Sequence, residues 1–333
     1  MEDVNDSFWV DRPVFVTGAT GLLGSALTGE LIARGASTVC LVRDWVADSR
    51  FVAGGLDRRA TTVRGELQDF ELLERVINEY EIDTVFHLGA QAIVGTAARG
   101  PRSTFESNVR GTWSLLEACR VCPKLVSRIV IASSDKAYGE HTELPYVESL
   151  PLLGSFPYDA SKACAELVAR SYYQTFATPL AITRCGNLFG GGDLNFNRLI
   201  PGTIRSVLRN ERPVIRSDGT YLRDYFYVLD AVDAYLHLAE RFTQPGVAGE
   251  AFNFGNEQPI AVLDLVQQIL ALLGRTDLEP VVLGEASSEI PRQYLDCGKA
   301  RELLSWRPRR SVEEGLRETI AWYEGYVRPP QGG

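Results

Sequence analysis

Short, almost uninterrupted apolar runs alternate with longer helical patterns through the first half of the chain. The apolar runs are rich in Val, Ile and Thr, which predicts strands buried on both faces of a parallel sheet. These strands are expected at 14–17, 38–42, 61–63, 84–88 and 128–132. Helices are expected between them at 22–34, 70–80 and 104–120, with Asp69 capping the second helix. This alternation predicts a doubly wound parallel sheet.

The pattern becomes less regular after residue 185. Segments rich in Gly, Asn and Arg at 190–197 and 217–223 are followed by helical patterns at 229–241, 262–273 and 312–326. The expected fold class is α/β, with a Rossmann-like dinucleotide-binding domain over 1–185. A smaller C-terminal α/β substrate-binding lobe is expected over 186–333, with the chain crossing between the two more than once.

The composition excludes several classes of protein. Of the 333 residues 45% are hydrophobic and 23% charged, as in ordinary globular domains. No apolar run approaches the ~20 residues of a membrane helix, and the acidic amino terminus lacks a signal-peptide pattern. The net charge of −9 argues against a nucleic-acid-coating surface. The six cysteines and three histidines lack metal-ligand spacing. We therefore expect a cytoplasmic protein with reduced thiols, no metal, no membrane contact and no nucleic-acid partner.

Three glycines stand between the first predicted strand and the first predicted helix. Gly18 allows a tight turn, Gly21 lets backbone amides approach a pyrophosphate, and Gly24 lets the helix pack close to the strand. The free N–H groups at the start of that helix favour an anion. This context predicts a dinucleotide site, and the alternative is a tight turn without a ligand.

The end of the second predicted strand carries two residues with opposite implications for the cofactor. Asp44 favours the free 2′-hydroxyl of NAD, whereas the adjacent Arg43 favours the 2′-phosphate of NADP. NAD is the expected cofactor, with NADP possible. Glu66 and Leu67, after the third strand, are placed to contact the adenine ring.

Tyr158 and Lys162 are four residues apart, which places them on one face of a helix. A nearby ammonium stabilises a phenolate and lowers the tyrosine pKa from about 10. Such a tyrosine can take a proton from a hydroxyl while hydride leaves the same carbon. This spacing also arises by chance, but here the pair follows the polar segment 133–139 at a predicted strand end. Doubly wound folds bind ligands at such ends.

These motifs resemble the extended short-chain dehydrogenase/reductase superfamily, and more narrowly its nucleotide-sugar 4,6-dehydratases and epimerases. The glycine turn, the SSDKAYG segment at 133–139 and the YDASK segment at 158–162 carry the resemblance. Stretches at 87–91, 108–112, 184–187, 223–228 and 295–299 extend it over nearly the whole chain. The CDP-glucose 4,6-dehydratase branch is the most similar, on the Asp135–Lys136 pair and the stretches 162–166 and 186–193.

The resemblance implies catalytic roles at five positions. Tyr158 would be the base toward the sugar 4-hydroxyl, Ser134 would hydrogen-bond the same oxygen, and Lys162 would bind the nicotinamide ribose. Asp135 would protonate the departing 6-hydroxyl. Lys136 stands where many of these dehydratases carry the Glu that removes the C5 proton. As a base it needs a pKa lowered by burial or by cations such as Lys162, and the alternative is an electrostatic or phosphate contact.

The resemblance also implies binding residues. For the cofactor they are Gly18, Thr20, Gly21, Leu22, Leu23, Gly24, Arg43, Asp44, Glu66, Leu67, Leu88, Ala90, Gln91, Asn108, Ser133, Tyr158 and Lys162. For the substrate they are Gln91, Ser134, Asn187, Arg198, Arg216 and Arg223, and an arginine fork suits a diphosphate. The substrate would be a CDP-, GDP-, dTDP- or UDP-linked sugar. The chain departs from the CDP branch at 224–227, which leaves the nucleotide open.

Three functions compete at this point. The first is a nucleotide-sugar 4,6-dehydratase, which oxidises C4 transiently with NAD(P)+, eliminates water across C5 and C6, and returns hydride to C6. The alternative is an NAD-dependent 4-epimerase, and the second alternative is a non-catalytic dinucleotide-binding sensor. Asp135–Lys136 favours the dehydratase, since the epimerases usually carry small Ser residues there. The intact Tyr158–Lys162 pair disfavours the sensor.

The helices expected at 104–120 and 158–176 carry apolar residues on more than one face. A single sheet contact buries only one stripe of a helix, so the surplus predicts a homodimer with a two-fold four-helix interface. Alternatively, the second lobe covers these faces. The apolar residues are Val109, Trp113, Leu115, Leu116, Leu167, Val168, Tyr172, Tyr173 and Phe176.

Overall fold

A seven-stranded parallel sheet forms the centre of the computed structural model, which describes residues 7–285 and 289–327. The order of the strands is β10-β6-β5-β4-β1-β2-β3. Their bounds are β1 Pro13–Thr17, β2 Ser37–Val42, β3 Thr61–Arg64, β4 Thr84–His87, β5 Arg128–Ala132, β6 Leu180–Cys185 and β10 Ala251–Phe254. Neighbouring strands are parallel throughout this sheet, so the expected doubly wound α/β fold is confirmed.

Helices cover both faces of the sheet. Successive residues of a strand point to opposite faces, so Val14 belongs to one core cluster and Phe15 to the other. The described α-helices are α1 Leu22–Ala33, α2 Arg50–Ala53, α3 Phe70–Glu79, α4 Val94–Arg99, α5 Pro101–Phe105, α6 Gly111–Val121, α7 Pro157–Phe176, α8 Leu199–Leu208, α9 Val228–Glu240, α10 Val262–Leu272, α11 Gly298–Leu304 and α12 Val312–Val327. None of the helices in residues 7–285 and 289–327 is long and apolar enough to cross a membrane.

The elements predicted from the sequence agree with the structure to within one residue at each end, apart from one helix. Asp69 caps α3 as expected, because its Oδ1 accepts from the Leu72 N–H at 3.0 Å. The single helix expected over 104–120 is wrong at its start. The chain instead forms α5, a π-helical turn at Glu106–Arg110, and then α6. Within that turn the Asn108 carbonyl accepts from the Thr112 hydroxyl at 2.6 Å.

The second half of the chain builds a smaller sheet and also completes the first. Strands β7 Asn187–Phe189, β9 Leu222–Tyr227, β11 Pro259–Ala261 and β13 Arg292–Gln293 form a four-stranded sheet, and β8 Val214–Ile215 pairs with β12 Val281–Val282. Between them the chain returns to the central sheet, where β10 pairs with β6. A domain division at 185/186 therefore stays a prediction.

Candidate active site

The glycine turn between β1 and α1 has room only for glycine at two positions. Gly18 has a φ of +75°, and a Cβ there would lie 2.7 Å from the Gly89 nitrogen. A Cβ on Gly24 would lie 2.0 Å from the Gly18 carbonyl oxygen. Because the residue that caps α1 is Gly21, no side chain competes for the N–H groups of the first turn. The turn therefore fits the phosphates of a dinucleotide.

A directional hydrogen-bond chain joins β1 to β4 below this turn. Thr112 donates its proton to the Asn108 carbonyl, so His87 Nε2 must donate to Thr112 Oγ1 at 3.0 Å. His87 Nδ1 then accepts from Thr17 Oγ1 at 2.9 Å, and Thr17 in turn accepts from the Leu88 N–H. Burial lowers the pKa of His87 to about 3, so the ring stays neutral in this single tautomer.

Asn108 connects the segment after β4 to the start of α7. Its Oδ1 accepts from the Gln91 N–H at 2.7 Å, and its Nδ2 donates to the Gln91 carbonyl and to Ser161 Oγ. Ser161 donates to the Tyr158 carbonyl at 2.7 Å. The hydrogen bonds of Asn108 thus connect the backbone at Gln91, through Ser161, to the backbone at Tyr158. Contacts of Asn108 and Gln91 with a cofactor stay predictions.

Tyr158 lies in the first turn of α7 and is 8% exposed. Burial raises the pKa of Tyr158 to about 12, while a hydrogen bond with Ser134 and the charge of Arg198 act to lower it. The expected lowering of this pKa by Lys162 is not observed. Lys162 Nζ donates instead to the Ala132 carbonyl at 2.8 Å, and burial lowers the pKa of Lys162 to about 8.

Asp135 and Lys136 begin a 3₁₀ turn that follows β5. Ser134 caps this turn by accepting from the Lys136 N–H, and its hydroxyl donates to Asp135 Oδ1 at 3.0 Å. Gln293 of β13 reaches across from the smaller sheet. Its Oε1 accepts from Lys136 Nζ, and its Nε2 donates to the Asp135 carbonyl at 2.8 Å. The structure therefore brings Ser134, Asp135 and Lys136 together beside Tyr158.

The charges around Lys136 differ from the expected set. Burial lowers the pKa of Lys136, and the cation that acts in the same direction is Arg223 rather than Lys162. Asp135 and Asp159 oppose this shift. Burial also raises the pKa of Asp159 to about 6, with the Lys136 charge acting against the rise. For the Lys136 amine, burial thus outweighs the surrounding carboxyl groups, which favour its ammonium form.

Sequence reasoning missed both Gln293 and Asp159. Asp159 stands inside the 158–162 motif, so a carboxyl group directly after the tyrosine was an available signal. Gln293 is 157 positions away from Lys136, and nothing in its local sequence indicates the contact.

Two of the arginines expected at the substrate diphosphate are already paired. Arg198 donates to Asp193 Oδ2 at 3.1 Å and is partly exposed. Arg223 is 6% exposed, donates to the Pro291 carbonyl, and lies 3.5 Å from Glu289. The charge of Arg198 acts to lower the pKa of Tyr158, and the charge of Arg223 acts to lower the pKa of Lys136.

Arg216 and Asn187 are the remaining substrate candidates of the second half of the chain. Arg216 is exposed and donates to Asn197 at 3.5 Å. Asn187 begins β7, where it is half-buried and in register with Tyr225 of β9. Their contacts with a substrate stay predictions.

The residues expected at the adenosine end lie at the surface. Arg43 donates to Asp44 Oδ2 at 2.7 Å in an exposed ion pair. Glu66 is exposed, whereas Leu67 is half-buried and packs so close that a Cβ on Gly89 would lie 2.9 Å from it.

The remaining cofactor candidates surround the turn and the end of β5. Leu23 is buried in the core, so only its backbone can serve a ligand. Ser133 donates to Glu166 Oε1 at 2.5 Å, and Glu166 forms a buried ion pair with Arg184 at 2.7 Å. The half-buried residues of this set are Thr20, Leu22, Leu88 and Ala90. No group of three or more potential metal ligands occurs within the described part of the chain.

The glycine turn and the helical Tyr158–Lys162 pair together define a class of dinucleotide-binding proteins. These proteins transfer hydride to or from a carbon that bears a hydroxyl group, and they transfer the proton of that hydroxyl. The family model described as "NAD dependent epimerase/dehydratase family" matches residues 14–255, and the chain belongs to this family. The match confirms the resemblance to extended short-chain dehydrogenases and NAD as the cofactor of the family.

Similar proteins include enzymes from several bacteria. CDP-glucose 4,6-dehydratase from Salmonella typhimurium is 33% identical, with 98% of this chain and 94% of that protein covered. dTDP-glucose 4,6-dehydratase from Xanthomonas campestris is 29% identical, with 92% of each covered.

Two solved structures have the same TM-score of 0.86 and the same identity of 28%. One is UDP-glucose 4-epimerase from Thermotoga maritima with UDP-glucose, which covers 95% of this chain and 100% of its own. The other is dTDP-glucose 4,6-dehydratase from Streptomyces venezuelae with NAD bound, which covers 95% and 98%.

Gly24→Ala tests the fit of the turn. The new Cβ would meet the Gly18 carbonyl, so we expect a loss of about 1–3 kcal/mol in stability and weakened dinucleotide binding. Thermal unfolding and calorimetric titration with NAD measure both effects. Gly29→Ala in the same helix is the control, because its Cβ would meet only Leu56 side-chain atoms at 3.7 Å or more. Equal behaviour of the two variants would contradict the assigned role of Gly24.

Proposed function

We propose that the protein is a nucleotide-sugar 4,6-dehydratase. The observation that carries this proposal is the pair Asp135 and Lys136, held beside Tyr158 by Gln293. Dehydration needs an acid and a base at adjacent carbons in addition to the group that acts on the 4-hydroxyl. Bound NAD supplies a reversible hydride acceptor, and the residues that would hold it are those of the glycine turn and Lys162.

Each of the polar side chains has a distinct task in this proposal. Tyr158 Oη acts as a phenolate, which the Arg198 charge and the hydrogen bond with Ser134 favour against burial, and accepts the proton of the sugar 4-hydroxyl. Ser134 orients that hydroxyl oxygen. Lys136 Nζ removes the C5 proton, which oxidation at C4 has made acidic. Asp135 gives a proton to the departing 6-hydroxyl, which leaves as water. The lowered pKa of Lys136 supports its use as a base.

The substrate end of the proposal rests on charge. Arg198 and Arg223 lie near the catalytic groups and can bind a diphosphate once their present partners, Asp193 and Glu289, give way. The substrate is therefore a nucleoside diphosphate sugar, with CDP, GDP, dTDP and UDP as the candidate carriers. Similarity to CDP- and dTDP-glucose dehydratases supports the first and third.

A 4-epimerase is the second candidate, and its support is the similarity in fold to UDP-glucose 4-epimerase. An epimerase uses Tyr158, Lys162 and NAD but has no task for Asp135 and Lys136. A sensor without turnover is the third candidate.

One experiment separates these functions. The purified protein is incubated with NAD and CDP-, GDP-, dTDP- and UDP-sugars, and the products are weighed by mass spectrometry. We expect the loss of one water from one of the substrates. A product of unchanged mass with inverted C4 would indicate the epimerase, and an absence of turnover on all substrates would indicate the sensor.

We also propose that the enzyme acts as a cytoplasmic homodimer through α6 and α7. Leu115 and Leu116, expected on the dimer face, instead lie fully buried against the sheet. Trp113, Leu167 and Phe176 nevertheless remain 40%, 60% and 53% exposed, so the second lobe does not cover them. The half-buried members of the expected set are Val109, Val168, Tyr172 and Tyr173.

Leu167→Glu tests the dimer. A charge at the centre of an apolar contact would remain unpaired, so we expect light scattering to show half the wild-type mass with the fold intact. Leu303→Glu on α11, also at an exposed leucine, serves as the control and should leave the mass unchanged. A monomeric wild-type protein at micromolar concentration would refute the proposal.

A further inference from the structure

Gln293 connects the two sheets at the catalytic segment. It lies on β13 with no exposed surface, and both ends of its side-chain amide are used. Oε1 accepts from Lys136 Nζ, and Nε2 donates to the Asp135 carbonyl at 2.8 Å. The Asp135 carbonyl can only accept, so it takes the Nε2 donor of Gln293 and leaves Oε1 facing Lys136 Nζ, which fixes the orientation of the amide.

The position of Gln293 also couples it to the substrate end. In the parallel pairing of β13 with β9, Gln293 is in register with Arg223. Arg223, a candidate ligand of the diphosphate, and Gln293, the hydrogen-bond acceptor of Lys136, therefore lie side by side on the same pair of strands. A displacement of this strand pair would move both contacts together.

The charges that face Lys136 come from several elements. Asp135 lies on the same 3₁₀ turn, Asp159 on α7, Glu289 in the segment before β13, and Arg223 on β9. The three carboxyl groups favour the ammonium form, whereas burial and Arg223 favour the neutral amine. Glutamine contributes an acceptor without adding a fourth negative charge.

We propose that Gln293 is a positioning residue for proton removal by Lys136, an inference that rests on the proposed dehydratase function. The neutral amine donates one N–H to Gln293 Oε1 and directs its lone pair to the sugar C5. The C5 proton moves to Nζ, and the C5–H electron pair forms the C5–C6 double bond. The C6–O bond breaks, and the oxygen leaves as water with a proton from Asp135. The ammonium that results keeps its bond to Gln293.

Gln293→Glu provides the sharpest test. A carboxylate beside Nζ stabilises the ammonium, so less of the base is available at a given pH. We expect the acidic limb of the elimination rate, where the rate rises with pH, to move upward by about one pH unit or more. A residue with a purely structural role would lower the rate without moving that limb.

Gln293→Met removes the acceptor but preserves length. We expect elimination to fall by at least about tenfold and its acidic limb to move to lower pH, because the ammonium loses a partner. The oxidation at C4, followed as reduced cofactor, should change much less. Should this variant fail to fold, Gln293→Glu keeps the shape of glutamine and decides the question alone.

A double-mutant cycle separates action through Lys136 from other effects. In a Lys136→Met background, adding Gln293→Met should cost less than about twofold in elimination. Gln267→Met on the exposed surface of α10 is the matched control and should match the wild type.

A wild type that dehydrates no nucleotide sugar refutes the proposed function itself. A wild type that does so, with an unmoved pH limb in Gln293→Glu, overturns only the role of Gln293.

Discussion

Tyr158→Phe is expected to lower turnover by about 10²–10⁴-fold, the usual contribution of a positioned general acid or base. The substitution removes one oxygen atom from a side chain that is 8% exposed and leaves the ring in place. Lys162 keeps its bond to the Ala132 carbonyl, so the affinity for NAD should change little. Steady-state rates and calorimetric titration with NAD measure the two quantities.

The matched control for this variant is Tyr172→Phe. Tyr172 lies on the same helix, about 21 Å further along at 1.5 Å per residue, and donates its hydroxyl to Glu117. We expect this control to keep near wild-type turnover. If Tyr158→Phe did the same, another group would have to accept the hydroxyl proton.

Asp135→Asn should separate water loss from oxidation. The side chain is 2% exposed and accepts from Ser134, a bond that the amide oxygen of asparagine can keep. Without a proton to give to the 6-hydroxyl, elimination should fall by at least about 100-fold. Oxidation at C4 should persist, so reduced cofactor accumulates and the C5 proton exchanges with deuterated water.

Asp69→Asn is the corresponding control, because asparagine caps a helix as well as aspartate does. It should leave both steps unchanged. If Asp135→Asn instead lost oxidation and elimination to the same extent, Asp135 would have a structural role.

The fold was predictable because its signals are local. A parallel strand covered on both faces is mostly apolar, and of the predicted strands β4 is buried at every residue and β1 at every residue but its first. The turn at Gly18 and Gly24 was predictable for a similar reason, since a Cβ at either position would lie only 2.7 Å or 2.0 Å from the nearest backbone atom. The spacing of Tyr158 and Lys162 needs only one helix.

What the sequence did not reveal depends on contacts between distant segments. The partner of Lys136 comes from β13, and the π-helical turn near Asn108 accompanies bonds to Gln91 and Ser161 on other elements. The spacing of apolar residues along one helix does not depend on such bonds, so it could not predict the π-helical turn. The pKa of Tyr158 was misjudged because burial outweighs the nearby charges, and burial depends on the complete fold.

The position of β10 at the end of the central sheet has a consequence for how the chain is made. Sixty-five residues lie between the end of β6 at Cys185 and the start of β10 at Ala251. At a synthesis rate of ~5–20 residues per second, β10 is synthesised roughly 3–13 s after β6, so one edge of β6 lacks its partner strand for that time. Through that interval an apolar strand presents unpaired N–H and C=O groups, the kind of edge along which nascent chains aggregate.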